Sequence, residues 1–301
     1  TRSVAEMLLG EMIFLARQLG DRSKEVHLGV WKKVANSCHE IRGKSIGIVG
    51  YGHIGAQVGV LCEALGMRVF FYDVASKLSM GNVKRCASLQ ELLEVSDFVT
   101  LHVPETSLTK KMIGSEQIAK MKKGSYLINA SRGSVVDLDA LAGAIKSGHL
   151  GGAAVDVYPD EPVANGEKFS SVLQTLPNMI LTPHIGGSTE EAQAAIGVEV
   201  ATSLIRFMNS GATAGAVNFP QVEPPAVPGT HRILNVHQNV PGVLKDINKI
   251  VSDLNANIRA QILATDQNIG YLVMDLEHNV SLRVKDAVES LPTSIKTRIL
   301  Y

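Results

Sequence analysis

Residues 44–73 are the part of the sequence that most constrains the fold of this chain. A short apolar run, residues 46–49, leads into Gly50-Tyr51-Gly52-His53-Ile54-Gly55, after which apolar residues recur at helical spacing. A second apolar run ends at Asp73, 18 residues after Gly55. This order predicts a strand, a tight turn, a helix and a second strand, which is the repeating unit of a doubly wound parallel sheet.

The three glycines of this segment have separate physical roles. Gly50 supplies the tight turn, Gly52 lets a pyrophosphate approach the backbone, and Gly55 lets the helix pack on its strand. The free N–H groups at the start of the helix attract an anion. Asp73 can accept hydrogen bonds from an adenosine ribose, and its charge disfavours a 2′-phosphate. We therefore predict an NAD site; the alternative is a structural turn with Asp73 as the cap of a strand end.

Composition narrows the classes of partner. The chain has 301 residues, enough for two or three domains, and its 29 Lys and Arg balance 29 Asp and Glu without a long basic stripe. We therefore expect no nucleic acid partner. Cys38, Cys62 and Cys86 lie in dissimilar surroundings, which argues against a disulfide framework and favours a reducing, cytoplasmic compartment. Charged residues interrupt the apolar pattern of residues 4–19, so we expect no membrane span.

Candidate site residues follow three further predicted strands in a region where strands and helices alternate, as they do in a parallel sheet covered on both faces. These residues are Ala130, Ser131 and Arg132 after the strand 126–128, Asp156 and Glu161 after 153–155, and His184, Ile185, Gly186 and Gly187 after 179–181. The carboxyl ends of parallel strands share one edge of the sheet, where cofactors bind. We therefore expect Arg132, Glu161 and His184 to converge although they are far apart in sequence.

This trio predicts the oxidation of an alcohol beside a hydride acceptor. His184 can take the hydroxyl proton near neutral pH, and a carboxylate such as Glu161 can orient the imidazole. Arg132 offers a planar fork that matches a substrate carboxylate, so the trio predicts a site for a 2-hydroxy acid. Each residue also has a plainer interpretation: a surface ion pair, a solvated loop charge and a satisfied loop histidine. The nine histidines show no metal-binding spacing, so we expect no metal.

A proline-rich segment, residues 219–229, is the best candidate for a domain boundary. Beyond it the pattern predicts a βαββαβ sandwich, with strands at 232–236, 258–263, 271–276 and 295–300 and helices at 241–254 and 282–291. Before it, Ser188-Thr189-Glu190-Glu191 has the form of a capping box that opens a long helix ending near Met208.

In sequence order, GYGHIG, LHVPE, INASRG, AAVDVYPDEP and LTPHIGGSTEEAQ closely resemble motifs of the D-isomer-specific 2-hydroxyacid dehydrogenases. The resemblance runs through the whole chain, because NVHQNVPGVL and the βαββαβ order are similar to the ACT domain of that family. It implies an α/β protein. Its parts are a Rossmann-like, doubly wound, dinucleotide-binding domain (1–187), a remnant of a second, substrate domain (188–220), a Pro-rich linker (221–229) and a regulatory ACT domain (230–301).

The resemblance also implies an activity and its residues. The activity is oxidation of 3-phosphoglycerate to 3-phosphooxypyruvate with NAD, the first step of L-serine synthesis, with L-serine as an allosteric ligand. The catalytic residues of the family fall on Arg132, Glu161 and His184. Its cofactor contacts fall on Gly50, Gly52, His53, Ile54, Gly55, Asp73, Ala130, Ser131, Arg132, Asp156, His184, Ile185, Gly186 and Gly187, and its serine contacts on His237, Asn239 and Asn257.

Trp31, the only tryptophan, matches a family residue that links subunits, so the resemblance implies a homo-oligomer, either a dimer or a tetramer. On the residues alone, the alternatives for Trp31 are a surface anchor or core filler and a side chain inserted into a neighbouring subunit. Family members begin with a segment, absent from this sequence, that forms most of the substrate domain and binds the phosphate. We therefore expect the chain as given to bind cofactor and to turn over substrate poorly.

Three alternatives stay open. The same trio would serve a D-2-hydroxyacid dehydrogenase for glyoxylate, hydroxypyruvate or 2-oxoglutarate. The same fold would serve a non-enzymatic, NAD-dependent sensor of the corepressor type. The C-terminal domain could also be a dimerisation module without a ligand.

Overall fold

The computed structural model describes residues 1–277 and 279–301 of the chain. It contains two compact units, Thr1–Gln193 and Ala194–Tyr301, and each unit is built on a sheet of its own. In the part of the chain described, no helix has both the length and the apolar character needed to cross a membrane.

The first unit is a seven-stranded parallel sheet. Its strands are β1 (Ser45–Val49), β2 (Arg68–Tyr72), β3 (Lys84–Arg85), β4 (Phe98–Leu101), β5 (Ser125–Asn129), β6 (Leu150–Val155) and β7 (Met179–Leu181). They lie in the order β3-β2-β1-β4-β5-β6-β7. The order reverses between β1 and β4, which opens a crevice at the carboxyl ends of these strands. The predicted doubly wound parallel sheet is therefore confirmed.

Helices cover both faces of this sheet. They are α1 (Arg2–Arg17), α2 (Leu19–His27), α3 (His53–Ala64), α4 (Leu89–Val95), α5 (Ser115–Lys120) and α6 (Leu138–Lys146). One apolar core joins the sheet to α1 and α3, and a second joins it to α4, α5 and α6. Strands buried on both faces read as continuous apolar runs, which is why the sequence located β1, β2, β4, β5 and β7 within two residues. The prediction placed the start of β6 three residues too late, because Gly151 and Gly152 interrupt its apolar run, and it missed the short, exposed strand β3.

The long helix α7 (Glu190–Ser210) begins one residue later than its sequence suggested. The Thr189 hydroxyl oxygen accepts a hydrogen bond from the Ala192 amide at 3.2 Å, so Thr189 caps the helix. Ser188 belongs to the preceding turn, because its amide donates to the Ile185 carbonyl oxygen. No residue within this helix is buried, although it carries apolar side chains such as Leu204.

The second unit has the predicted βαββαβ order. Its elements are β8 (His231–Gln238), α8 (Val243–Asp253), β9 (Ile258–Thr265), β10 (Ile269–Leu276), α9 (Ser281–Glu289) and β11 (Ser294–Leu300). The strands form an antiparallel sheet in the order β11-β8-β10-β9, with α8 and α9 packed on one face. Helix α8 begins at Val243 rather than at Pro241, because Gly242 has a φ of 98°, which lies outside the helical region.

Residues 219–229 contain no helix or strand, as expected of a connector, yet they pack on the second sheet. Val222 is buried in a small core with Tyr271. Arg232 donates to the Pro225 carbonyl oxygen and forms a buried, two-pronged ion pair with Asp275. The division into two units does not resolve the finer boundaries at 187/188, 220/221 and 229/230, which stay predictions.

Candidate active site

The glycine turn lies at the carboxyl end of β1, beside the crevice of the first sheet. Gly50 has a φ of 91°, and a Cβ atom there would lie 2.4 Å from the His102 carbonyl oxygen. A Cβ at Gly55 would lie 2.2 Å from the Gly50 carbonyl oxygen, whereas a Cβ at Gly52 would have no atom of the described residues within 4 Å. The turn is therefore packed against protein at Gly50 and Gly55 and open at Gly52.

This open space lies at the start of α3. The helix begins at His53 and Ile54, and its N-cap, Gly52, has no side chain to satisfy the first amides. An uncapped helix start with free space in front of it fits the pyrophosphate of a dinucleotide. The residues present therefore fit NAD.

Asp73 follows β2 and faces the glycine turn. Its two carboxylate oxygens accept hydrogen bonds from the amides of Tyr51 and Ala75, each at 2.8 Å. Asp73 thus caps the strand end and holds the turn. Each oxygen keeps a second lone pair, so these bonds are compatible with a ribose contact, which stays a prediction.

The turn that carries Arg132 is organised by Asn129, the last residue of β5. The side-chain oxygen of Asn129 accepts hydrogen bonds from the backbone amide and the hydroxyl of Ser131, at 3.1 and 2.8 Å, and its side-chain nitrogen donates to the Arg132 carbonyl oxygen. Ala130 begins this turn. The guanidinium of Arg132 is exposed and donates to the Ser131 carbonyl oxygen at 2.6 Å. Arg132 therefore projects from a rigid turn at the edge of the sheet.

Asp156 is an anchor beneath the loop that carries His184. It is buried and accepts hydrogen bonds from the hydroxyl of Thr182 at 2.6 Å and from the amides of Ile185 and Gly186 at 2.8 and 2.9 Å. These bonds hold the turn in place while His184 has a φ of 55°, an uncommon conformation for a residue other than glycine. The turn then continues to Gly187, which is partly exposed.

His184 and Glu161 form the central pair of the site. Nδ1 of His184 lies 2.8 Å from Oε2 of Glu161, and the other oxygen of Glu161 accepts from the Tyr158 amide at 2.9 Å. Because an ionised carboxylate only accepts, the pair fixes the proton on Nδ1. Nε2 of the half-exposed imidazole is then free to exchange a proton with a substrate.

Arg132 acts electrostatically on the same pair. Burial alone would raise the pKa of Glu161, but hydrogen bonds from His184 and Tyr158 and the positive charges of His184 and Arg132 outweigh it and lower that pKa. Gly133 lets the turn that carries Arg132 pack closely on the backbone of Tyr158, because a Cβ at Gly133 would lie 2.0 Å from the Tyr158 carbonyl carbon. The structure therefore brings together the three residues that the sequence selected.

A cavity of about 430 Å³ adjoins the pair, and Tyr158, Phe169 and Leu181 contribute to its lining. The hydroxyl of Tyr158 donates to the Val155 carbonyl oxygen, and its ring packs edge-on against Phe169. Tyr158 thus supports the Glu161 loop through its amide and its ring. The sequence reasoning missed this residue, since its only signal was a tyrosine between two candidate carboxylates.

Glu11 is a second residue that sequence reasoning missed. It lies on α1 with 6% of its surface exposed, and neither carboxyl oxygen has a hydrogen-bond partner among residues 1–277 and 279–301. Burial and the charge of Asp156 raise its pKa to about 8. In the sequence, Glu11 was visible only as a carboxylate that interrupts the helical spacing of apolar residues between positions 4 and 19.

The structure brings two of the three candidate serine residues together. His237 and Asn239 lie at one end of the second sheet, where His237 pairs with Gly270 of β10. Asn257 precedes β9 at the other end, where Leu276 of β10 pairs with Ile258. Gly270 and Leu276 are six positions apart along β10, which is roughly 20 Å at about 3.3 Å per residue. One chain alone therefore does not assemble the three residues into a single site.

Trp31 lies in an irregular segment after α2 and is 84% exposed. Apolar neighbours in the same segment, Leu28, Val30 and Val34, are exposed as well. The three cysteines are free. Over the described ranges, no group of three or more His, Cys, Asp or Glu side chains could hold a metal ion.

Comparisons with known proteins agree with this geometry. Residues 9–186 match the family model described as D-isomer specific 2-hydroxyacid dehydrogenase, NAD binding domain, and residues 233–296 match the one described as AHAS small subunit-like ACT domain. A D-3-phosphoglycerate dehydrogenase from Dictyostelium discoideum is 58% identical over 301 residues, which is all of this chain and 74% of the relative. One from Haemophilus influenzae is 50% identical over 301 residues and is covered to 73%.

Solved structures show the same similarity. The NAD-complexed form of a D-isomer specific 2-hydroxyacid dehydrogenase from Lactobacillus delbrueckii ssp. bulgaricus superposes with a TM-score of 0.65 at 30% identity. The match covers 72% of this chain and 70% of that one.

Proposed function

The chain belongs to the D-isomer-specific 2-hydroxyacid dehydrogenase family, and on that basis we propose that it serves the NAD-dependent oxidation of 3-phospho-D-glycerate to 3-phosphooxypyruvate. This is the first step of L-serine biosynthesis. The observation that carries the proposal is the convergence of Arg132, Glu161 and His184 at one edge of the parallel sheet. The substrate is the one in the names of the relatives from Dictyostelium discoideum and Haemophilus influenzae.

Each residue of the trio has a chemical task in this oxidation. NAD, when bound, supplies the acceptor for the hydride that leaves C2 of the substrate. Nε2 of His184 takes the proton of the C2 hydroxyl, and Glu161 stabilises the imidazolium that results. Arg132 binds the substrate carboxylate with its planar fork, which fixes the orientation of C2.

The residues that would hold NAD are those around the open glycine turn. The amides at the start of α3, from His53 onward, face the pyrophosphate, and Asp73 accepts from the adenosine ribose. The turns that contain Ser131 and Ile185 line the nicotinamide side, together with Asp156. This assignment is a proposal that rests on the predicted motif and on the free space at Gly52.

The phosphate of the substrate needs cationic side chains from a substrate domain, of which we propose that residues 188–220 form a part. Helix α7 supports this proposal, because its apolar side chains, including Val198 and Leu204, are exposed and could pack against the rest of a substrate domain. The chain spans 74% of the Dictyostelium discoideum relative, so the remaining part of that relative is the natural source for a complementation test.

The test compares the chain as given with a version extended at its N-terminus by the corresponding segment of that relative. NADH formation is followed with 3-phosphoglycerate, and NADH consumption with glyoxylate, hydroxypyruvate and 2-oxoglutarate. We expect both proteins to bind NAD and the extended one to prefer the phosphorylated acid. Preference for an unphosphorylated acid would assign the chain to another dehydrogenase of the family.

His184→Ala separates an enzyme from a sensor. In an enzyme this change, made in the N-terminally extended protein, abolishes turnover and leaves NAD binding within about threefold, because the imidazole acts on the reacting proton rather than on the cofactor. In a corepressor-type sensor the variant would keep its NAD-dependent association with partners, and the extended protein without the substitution would show no turnover.

The second unit is proposed as a regulatory domain that binds L-serine at an interface between two copies of the chain. His237 and Asn239 of one copy and Asn257 of another would complete a site that a single sheet keeps apart. This arrangement requires a homo-oligomer, at least a dimer. Isothermal titration of L-serine into the unaltered chain and into Asn257→Ala tests it. Unchanged affinity in the variant would leave the domain without this role.

Trp31 is proposed as a second contact between copies, because an exposed tryptophan with exposed apolar neighbours favours burial in a partner surface. As the only tryptophan, it reports on its own burial. We expect its emission maximum to shift to longer wavelength on dilution and the sedimentation coefficient of Trp31→Ala to fall.

A cytoplasmic location and the lack of nucleic acid partners stay predictions from the sequence.

A further inference from the structure

A buried polar network lies within the helix-covered side of the second sheet. Asn235 and His237 share a face of β8 with Ile233, which belongs to the core formed with α8 and α9. Asn235 is fully buried and His237 is 3% exposed. Ser294 and Thr297 of the neighbouring strand β11 complete the network. Polar groups in such a position are costly unless each finds a partner, so their hydrogen bonds are informative.

The hydrogen bonds of the Asn235 side chain assign the donors and acceptors around it. The Asn235 amide nitrogen donates its two hydrogens to the hydroxyl oxygens of Ser294 and Thr297, each at 2.9 Å. The side-chain oxygen Oδ1 of Asn235 can only accept, and it faces Nδ1 of His237 at 3.0 Å. The proton of the imidazole is therefore on Nδ1. Burial lowers the pKa of His237 and so favours the neutral ring.

Nε2 of His237 is the one imidazole nitrogen left over. It makes no hydrogen bond to any residue in the described ranges, and it lies above Gly270 of β10, where a Cβ would come within 2.2 Å of it. The backbone of Gly270 is not left-handed. Glycine is therefore needed there to leave room for the imidazole ring of His237, and not to allow an unusual backbone conformation. In a neutral ring with its proton on Nδ1, Nε2 is an acceptor.

We propose that Asn235 is a positioning residue of the regulatory site, which holds His237 with its proton on Nδ1 so that Nε2 accepts a hydrogen bond from the hydroxyl or ammonium group of a small amino acid. The inference rests on the proposed binding of L-serine to this domain. It adds a polarity rule: the regulatory ligand approaches this imidazole with a donor and not with its carboxylate.

The first test is the tautomer itself. In the full chain labelled with ¹⁵N-histidine, the His237 resonances are assigned by their loss in His237→Gln. We expect the shifts of a ring protonated on Nδ1 and bare on Nε2. A ring protonated on Nε2 in the unaltered chain would overturn the inference, whether or not any variant folds.

Two variants then connect the tautomer to binding. Asn235→Leu removes the acceptor, while Ser294 and Thr297, whose hydroxyl oxygens are 3.2 Å apart, can pair with each other. We expect His237 to shift toward the tautomer protonated on Nε2 and L-serine to bind about tenfold more weakly, the value of one net hydrogen bond. Asn235→Asp keeps an acceptor opposite Nδ1 and keeps the Nδ1–H signal. Unchanged tautomer and affinity in Asn235→Leu would refute the positioning role.

Ligand analogues test the polarity rule and separate it from the proposed function. L-alanine has the ammonium group alone, 3-hydroxypropionate has the hydroxyl alone, and propionate has neither donor. We expect propionate not to bind, and tight binding of propionate would overturn the rule. If His237→Ala binds L-serine normally, the proposed serine site fails. If His237→Ala loses binding and Asn235→Leu does not, the serine site stands and the role of Asn235 falls.

Discussion

His184 and Glu161 come from different loops, 23 residues apart in sequence, and meet at 2.8 Å through Nδ1 and Oε2. The loop of His184 is held by three hydrogen bonds to Asp156, and Glu161 is held by the Tyr158 amide. Both partners are thus fixed before any substrate arrives. A preorganised pair of this kind loses little entropy when it takes up a proton.

Glu161→Gln should lower the turnover number for 3-phosphoglycerate by about 10²- to 10³-fold, because glutamine cannot stabilise the imidazolium that forms at His184. The measurement is steady-state NADH formation by the N-terminally extended protein. The pKa of Glu161 is lowered, so the stabilisation from its interaction with His184 is fully present above the ordinary carboxyl pKa. That stabilisation is lost as the pH falls through the lowered pKa. Asp160→Asn, which removes a neighbouring exposed charge, should leave turnover within twofold. An equal loss in both variants would contradict a specific role.

Arg132→Lys should raise the KM for 3-phosphoglycerate about tenfold, because an ammonium group keeps the charge and loses the planar fork. NAD binding, measured by titration calorimetry, should change by less than about threefold, since the backbone of this turn is held by Asn129. Arg259→Lys is the matched control, because Arg259 is an exposed arginine of the second unit paired with Glu277. An unchanged KM in Arg132→Lys would remove the guanidinium from the substrate site.

Gly52→Ala and Gly55→Ala should separate cofactor binding from folding. A methyl group at position 52 meets no described protein atom within 4 Å, so stability should hold while NAD binding weakens by at least about tenfold. A methyl group at position 55 meets the Gly50 carbonyl oxygen, so stability should fall by about 1–3 kcal/mol. Gly143→Ala, in α6 with open space around it, is the control and should bind NAD normally. Thermal unfolding measures the stability of each variant, and NAD titration measures its affinity for the cofactor.

Glu11→Gln should stabilise the protein increasingly as the pH rises from 4.5 to about 8. The pKa of Glu11 is raised from 4.5 to about 8, so the unfolded chain releases this proton in that range while the folded protein keeps it, and stability falls. The difference grows by about 1.4 kcal/mol per pH unit and levels off at about 5 kcal/mol above pH 8. Urea unfolding at pH 5, 7 and 9 measures it.

Glu6→Gln is the control for that series, since Glu6 lies on the same helix and its side chain is 59% exposed. It should show no growing difference. A constant offset between Glu11→Gln and the unaltered chain across the three pH values would mean that Glu11 is ionised in the folded state.

Several features of the fold could be predicted because they depend on local chemistry. The order of glycines in residues 50–55 specifies a turn with space at its middle, and continuous apolar runs mark strands buried on both faces. The convergence of Arg132, Glu161 and His184 also followed, since parallel strands place their carboxyl ends at one edge. These rules use only the period and type of neighbouring residues.

Other features depended on contacts that no local pattern records. Glu11 appeared as a polar interruption of a helical stripe, and only packing against the sheet buried it near Asp156. Asp73 was expected to face a ribose, yet its two oxygens also hold backbone amides. Asn257 was grouped with His237 by resemblance, and the register of β10 places them at opposite ends of the sheet.

By itself, then, the sequence determined the doubly wound sheet, the βαββαβ unit and the choice of catalytic candidates, because apolar periodicity and turn chemistry act over a few residues. Only the tertiary structure decided which donors and acceptors meet, as it did for Asn235 with His237 and for Asp156 with the loop of His184. Hydrogen-bond partners depend on sub-ångström placement of groups distant in sequence, and that placement exists only once the cores have packed.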